Sequence, residues 1–120
     1  MSQGGADRDL FLKRSRDIEH AKKHGRRIST AFFNMMICTT EESGSRVGIV
    51  VGKRFGGAVS RNRVKRLFRE LTRQVQGQLL PGQALVVFPK RESIVQPFAV
   101  LKEAWLSSLQ RQRLLHTHEA

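Results

Sequence analysis

The sequence predicts a single α+β domain, a two-layer α/β sandwich in which helices cover one side of a small mixed sheet. A length of 120 residues fits one compact domain. Three short runs are rich in apolar residues of the kind found in strands, and other segments repeat apolar residues at helical spacing. The predicted order is helix, strand, strand, helix, strand, helix, an order typical of this class.

The first predicted helix is the segment "SRDIEHAKKH" at residues 15–24. Ser15 is a suitable N-cap, and Gly25 follows the last turn, where glycine commonly ends a helix. Ile18 and Ala21 lie three positions apart and supply only a narrow apolar stripe. The segment is therefore predicted to be a short helix that depends on tertiary packing.

Two β-prone runs come next. The segments "AFFNMMICTT" at 31–40 and "RVGIVVG" at 46–52 flank the turn-forming residues "EESGS", so they are predicted to form an antiparallel pair. Another short strand at residues 53–55 is an open alternative. The run "ALVVFP" at 84–89 predicts a buried strand that ends at Pro89.

Two further helices are predicted on either side of that strand. Ser60 is a suitable N-cap for a helix over residues 61–76, which Gly77 would end. Pro97 suits the first position of a last helix, because its missing N–H is not needed there. Apolar residues then recur at helical spacing through this last segment: Val100, Leu101, Ala104, Trp105 and Leu109.

The helix over residues 61–76 has a distinct apolar sector and a distinct basic stripe. At about 100° per residue, five side chains share the apolar sector: Val64, Leu67, Phe68, Leu71 and Val75. The basic stripe is formed by residues four apart, with Arg66 beside it: Arg61, Lys65, Arg69 and Arg73. Like charges at this spacing repel, and a bound anion would relieve that repulsion.

The net charge of +12 indicates a polyanionic partner, with nucleic acid as the first candidate class and an anionic membrane surface as the second. Gly56 and Gly57 allow close backbone approach just before the basic helix, whose free N–H groups suit phosphate. The alternative interpretation is that the basic stripe is only a solvent-exposed helical face that binds no partner. A nucleotide-hydrolysing loop is disfavoured, since "GIVVGKR" has the wrong glycine spacing and no Ser or Thr after Lys53.

Other features argue for a cytoplasmic protein that is not a catalyst by itself. The chain has one cysteine, Cys38, and no apolar run long enough for a signal peptide or a membrane span. No serine–histidine–acid arrangement or carboxylate pair stands out, and His20 and His24 are interpreted as surface residues rather than a metal site. Residues 1–9 and 116–120 are expected to be disordered.

The stretch "KRFGGAVSRNRVKRLFRE" (residues 53–70) resembles the signature of the protein component of bacterial ribonuclease P. The resemblance covers roughly residues 12–115. It rests on a basic pair, a glycine and a dense basic string: Lys53 with Arg54, Gly56, Ala58 with Val59, Arg61 to Arg63, Lys65 with Arg66, and Arg69 with Glu70.

The resemblance implies a fold similar to a ribosomal-protein domain, with a left-handed crossover that carries the signature. It also implies removal of the 5′ leader of precursor tRNA by phosphodiester hydrolysis. The RNA subunit performs this chemistry with Mg²⁺, so no catalytic or metal-binding residue is expected in the protein. The implied partners are ribonuclease P RNA and the leader, without a membrane or an obligate protein partner. The implied RNA contacts are Lys53, Arg54, Arg61, Asn62, Arg63, Lys65, Arg66 and Arg69.

The resemblance further implies that the leader lies in a cleft between the sheet and the first helix. Family members often carry aromatic residues on that helix, whereas this chain has Ile18 and Lys22 there. Phe33 is a candidate for stacking on a leader nucleotide, and the alternative is a core position. Phe32 and Phe33 are adjacent in a predicted strand, so only one of them belongs to the main core.

Two rival functions remain open at the level of the sequence. One is a ribosomal or other structural RNA-binding protein of the same fold, which composition alone does not distinguish from a ribonuclease P subunit. The other is non-specific binding of duplex DNA.

Overall fold

The computed structural model describes residues 11–12, 15–40 and 44–116. Within these residues the chain forms three α-helices, a four-stranded sheet and three short 3₁₀ turns. The helices are α1 (Ser15–His24), α2 (Ala58–Gln74) and α3 (Phe98–Arg111). The strands are β1 (Arg26–Ser29), β2 (Phe33–Thr39), β3 (Arg46–Ile49) and β4 (Gln83–Pro89). The 3₁₀ turns are Lys53–Phe55, Gln76–Gln78 and Arg91–Val95. The predicted α+β class with a mixed sheet is confirmed.

The sheet has the strand order β1-β2-β4-β3. β4 pairs antiparallel with β2 and parallel with β3, and α2 forms the crossover between the two parallel strands. The predicted antiparallel pairing of residues 31–40 with 46–52 is therefore wrong, because β4 lies between those segments. The physical reason is the burial of β4. Leu85, Val86 and Val87 are each fully buried, so this strand needs cover on both faces and a partner on both edges.

β1 was not predicted, because it lacks the apolar alternation of a half-buried strand. Arg26, Arg27 and Ser29 are exposed, and Ile28 is half-buried. The strand lies at the sheet edge and pairs with β2 through a tight connection, in which the Thr30 hydroxyl donates to the Phe33 carbonyl (2.8 Å). The extra strand considered at residues 53–55 is instead a 3₁₀ turn.

The sheet is packed on both faces. The main core lies between one face and the helices α2 and α3, and its largest buried side chains include Phe33, Phe68 and Trp105. On the other face, Ala21 of α1 packs with Cys38 and Val86. The prediction that helices cover one side of the sheet therefore holds for α2 and α3. The first helix lies on the opposite face, because β2 and β4 carry apolar side chains on both faces.

The helix boundaries largely follow the sequence. α1 has the predicted bounds, whereas α2 begins three residues earlier than predicted, at Ala58, and ends at Gln74. Its N-cap is Gly57, without a side-chain hydrogen bond, so the predicted N-cap role of Ser60 is wrong. Pro97 occupies the N-cap of α3 rather than the first helical position.

The end of the described chain is held in place. Leu79 and Leu115 form an isolated antiparallel bridge, and the backbone N–H of His116 donates to the Gln78 carbonyl (2.7 Å). His116 therefore does not belong to a disordered tail as predicted; the remaining residues of both predicted disordered ends lie outside the described part. None of the helices described is long and apolar enough to cross a membrane.

Candidate nucleic-acid interface

Three residues separate β3 from the signature segment, which begins at Lys53, and a buried phenylalanine fixes its first turn. Phe55 is buried at the end of the 3₁₀ turn, while its neighbours Lys53 and Arg54 are exposed. Gly56 follows with φ of 154°, within the region that glycine adopts without strain. The loop is thus anchored by one apolar side chain and presents both of its predicted RNA-binding cations to solvent.

The start of α2 leaves backbone donors open. Its first helical hydrogen bond runs from the N–H of Arg61 to the carbonyl of Gly57 (3.0 Å). No side chain caps this end, so the N–H groups of the first turn, residues 58–60, have no intrahelical acceptor. Together with the helix dipole, these donors suit a phosphate oxygen.

The opposite face of α2 packs into the main core. Val64, Phe68 and Leu71 are buried, as the predicted apolar sector requires. The Phe68 ring meets Phe33 and Trp105 edge-on, at centroid distances of 5.7 and 5.9 Å. Such aromatic pairs contribute about 0.5–1.5 kcal/mol each beyond burial, so α2 is rigidly oriented on the sheet.

This anchoring turns the predicted RNA-binding side chains outward. Asn62, Arg63, Arg66 and Arg69 are exposed, and Arg61 and Lys65 are half-buried at the flank of the packed face. The whole predicted set is therefore exposed or half-buried along α2 and the loop before it, and together these side chains make up one candidate surface. We call this surface the basic face. Its members are Lys53, Arg54, Arg61, Asn62, Arg63, Lys65, Arg66 and Arg69.

The basic face has little internal charge compensation. Glu70 is the one carboxylate of α2, and it lies 4.0 Å from the guanidinium of Arg73, outside the predicted set. Within the part of the chain that the structure describes, the cations of the basic face form no ion pair. Their mutual repulsion favours binding of a partner with regularly spaced negative charge.

A groove opens on the other side of the sheet, next to α1. A cavity of about 600 Å³ is lined by Lys22, Arg27, Asn34, Met36 and Phe88. The Lys22 ammonium lies 5.7 Å from the ring centroid of Phe88, which is within cation–π range. The Ser29 hydroxyl donates to Oδ1 of Asn34 (2.7 Å).

The groove continues towards the signature loop. A second cavity, of about 780 Å³, shares Lys22 and Phe88 with the first and reaches Arg54 and Arg91. The two cavities thus form one path from the β1 edge to the start of the basic face. Cations line this path along its length, and Phe88 stands at the point where the two cavities meet.

Two of the three candidates for the leader cleft lie outside the groove. Phe33 is fully buried among Phe68 and Trp105 in the main core, so its predicted stacking role is wrong. Ile18 packs with the small cluster beneath α1 and does not line either groove cavity, whereas Lys22 does.

Phe88 is the aromatic side chain that lines both cavities of the groove, and sequence reasoning missed it. The signal was strand alternation: Leu85 and Val87 face the main core, so Val86 and Phe88 face α1. Arg27 was missed because β1 was not predicted, and Arg91 because it lies in an irregular turn.

The two helical histidines remain surface residues in the structure. His20 and His24 are exposed, with ring centroids 4.7 Å apart. Among the described residues, no group of three or more His, Cys, Asp or Glu side chains is placed to hold a metal ion.

The chain is similar to known proteins over most of its length. The family model described as Ribonuclease P matches residues 7–113 of the chain. A ribonuclease P protein component from Herpetosiphon aurantiacus is 32% identical over 112 residues, which cover 93% of this chain and 91% of that protein. One from Erythrobacter litoralis is also 32% identical, covering 89% of this chain and 88% of that protein.

Solved structures show the same fold. The ribonuclease P protein from Thermotoga maritima superposes with a TM-score of 0.76 at 31% identity, covering 83% of this chain and 94% of that one. A mutant ribonuclease P protein from Staphylococcus aureus gives a TM-score of 0.84 at 22% identity, covering 93% of this chain and 95% of that one. With the family model spanning almost the whole chain, this protein belongs to the family of ribonuclease P protein components.

Proposed function

We propose that this chain is the RNA-binding subunit of ribonuclease P, which assists removal of the 5′ leader from precursor tRNA. The basic face binds the catalytic RNA, and the groove beside α1 holds the leader. The observation that carries the proposal is the basic face itself, a rigidly anchored set of cations without ion pairs next to open helix donors. Phosphate contacts of this kind position an RNA without reading its sequence.

The groove has the features that a single-stranded leader needs. Lys22, Arg27, Arg54 and Arg91 supply positive charge along the path, and Phe88 supplies an aromatic surface. Base stacking on such a ring contributes about 1–3 kcal/mol per base. Phe88 on β4 would therefore take the role that family resemblance assigns to aromatic residues of the first helix.

The proposal assigns the hydrolysis to the RNA subunit. Mg²⁺ supplies charge stabilisation for phosphodiester cleavage, and the described residues offer no cluster of ligands for it. The ion is accordingly proposed to be held by RNA and substrate. The protein contributes binding and orientation, which lowers the magnesium concentration that the reaction requires.

Cleavage of a 5′-extended tRNA precursor at low Mg²⁺ tests this function. The protein alone, a bacterial ribonuclease P RNA alone and the mixture are compared. We expect cleavage at the mature 5′ end in the mixture only. If the protein binds RNA tightly but leaves cleavage unchanged, the proposal is wrong and a structural RNA-binding role, such as one in the ribosome, takes its place.

The basic face is tested by the double substitution Arg61→Ala and Arg63→Ala. We expect weaker holoenzyme assembly with an unchanged fold, because both side chains lie outside the buried sector of α2. A matched control removes two exposed cations of α3, through Lys102→Ala and Arg111→Ala. Equal losses for both double variants would mean that only the total charge matters and that the basic face is not the docking surface.

A further inference from the structure

Val59 is an apolar side chain exposed at the centre of the signature. It is 81% exposed and belongs to the first turn of α2. Among the large hydrophobic side chains in the described part of the chain, only Val95 has a similar exposure, at 76%. A single exposed valine is ordinary on a protein surface, so its meaning depends on its neighbours.

The neighbours of Val59 on the helix surface are all members of the basic face. Residues three, four and seven positions later share a helical face with it. These are Asn62, Arg63 and Arg66, and each is exposed. Val59 therefore lies at the N-terminal end of the row formed by Asn62, Arg63 and Arg66, next to the open N–H donors of residues 58–60.

The fold does not require valine at this position. The buried side chains of α2 are Val64, Phe68, Leu71 and Thr72, and Val59 is not among them. Valine is also a poorer helix former than alanine, because its branched side chain loses rotamer freedom against the helix. A replacement by alanine should consequently leave the protein at least as stable.

We propose that Val59 packs against an unpaired nucleoside of the RNA subunit while Arg63 and Arg66 hold the adjacent phosphates. The face of a base or the carbon atoms of a ribose can cover an apolar side chain. A phosphate cannot do so, because it retains its hydration shell. Unpaired nucleosides are splayed out in loops and bulges of folded RNA and are stacked away in a duplex. Val59 thus favours folded RNA over simple polyanions. This inference rests on the proposed function, since it names a contact within the same interface.

The test is the affinity of Val59→Ala for ribonuclease P RNA, measured over a series of salt concentrations. Removing two methyl groups from a fully buried contact should weaken binding by up to about 15-fold. Because no charge changes, the slope of log affinity against log salt should stay the same. Binding to heparin should also be unchanged. Val59→Ile, which keeps the apolar surface, should bind like the original protein.

Val95→Ala is the matched control, as Val95 is similarly exposed but lies on a different surface segment. It should leave RNA affinity unaltered. The inference is overturned if Val59→Ala binds RNA like the original protein, or if Val95→Ala loses as much. Arg63→Ala separates the two proposals. It should lower both the affinity and the salt slope, and if it lowers neither, the basic face itself is wrongly assigned.

Discussion

Two phenylalanines on neighbouring strands show that strand alternation decides whether an aromatic side chain lies in the core or in the groove. Phe33 on β2 faces the main core, where its ring lies 5.6 Å from that of Trp105. Phe88 on β4 faces α1 and lines the groove. The sequence left both roles open for Phe33 and assigned no role to Phe88, although both are aromatic and lie in apolar strands. Only the register of the sheet, with Asn34 opposite Phe88, places them on opposite faces.

Replacing each phenylalanine with leucine should separate these roles. Phe33→Leu should lower the free energy of unfolding by about 1–3 kcal/mol, because the edge-on contacts with two aromatic rings are lost. Phe88→Leu should cost less than about 1 kcal/mol of stability but weaken leader binding by about 1–3 kcal/mol. Urea denaturation and titration with a leader-bearing tRNA precursor measure the two effects. Equal leader affinity for Phe88→Leu and the original protein would contradict the stacking role.

At the scale of elements, the placement of α1 depends on Gly25. This residue joins α1 to β1, and its N–H donates to the Ala21 carbonyl (2.7 Å). A Cβ at this position would collide with the Ala21 carbonyl oxygen and crowd Met36. The glycine therefore permits a close approach between the end of α1 and β2, next to Met36, which lines the groove.

Gly25→Ala should displace α1 and weaken leader binding more than it weakens binding of the RNA subunit. The reason is that the basic face lies on α2 and the preceding loop, which do not depend on this junction. Gly77→Ala is the control, since a Cβ there has open space. Titrations of the two RNAs against each variant measure the difference. Loss of both affinities to the same extent would instead indicate general unfolding.

The end of α3 has an arginine where a glycine would be less strained. Arg113 has φ of 58°, and the N–H of Leu114 donates back to the Leu109 carbonyl (2.9 Å). This is the Schellman arrangement, in which the residue of positive φ is usually glycine. The side chain of Leu114 is buried, which holds the turn despite the strain.

Arg113→Gly should raise the free energy of unfolding by about 0.5–1 kcal/mol, because it relieves the left-handed conformation. Lys102→Gly, at an exposed position in the interior of α3, should lower that free energy by about 1 kcal/mol. Thermal or urea denaturation distinguishes the two. A destabilised Arg113→Gly variant would show that the arginine makes a stabilising contact that outweighs the backbone strain.

At the scale of the whole molecule, charge is the dominant property. The net charge of +12 is concentrated in part on the basic face and along the groove. If the basic face and the groove together contact six or more phosphates, RNA affinity should fall by about 10³-fold or more between 50 and 200 mM salt. Filter binding over that range measures it. A shallow dependence would mean that few of these cations touch phosphate.

Sequence reasoning recovered the elements whose signals are local. The bounds of α1, the apolar sector of α2 and the basic residues of the signature follow from spacing and composition. The position of β4 between β2 and β3 did not, because non-local pairing leaves no local signature. β1 was missed because an edge strand with exposed arginines resembles a loop. The predicted groove lacked Arg27 and Phe88, because these residues come from distant segments of the chain.

The central place of β4 has a consequence for synthesis on the ribosome. β4 is the last strand to be translated, yet it joins β2 to β3. Until residues 83–89 emerge, β2 and β3 have no strand between them, so the sheet and core against which α2 packs are incomplete, although the arginines of α2 are already made. Emergence of β4 then completes the sheet and supplies Leu85 and Val87 to the core into which the apolar side of α2 packs.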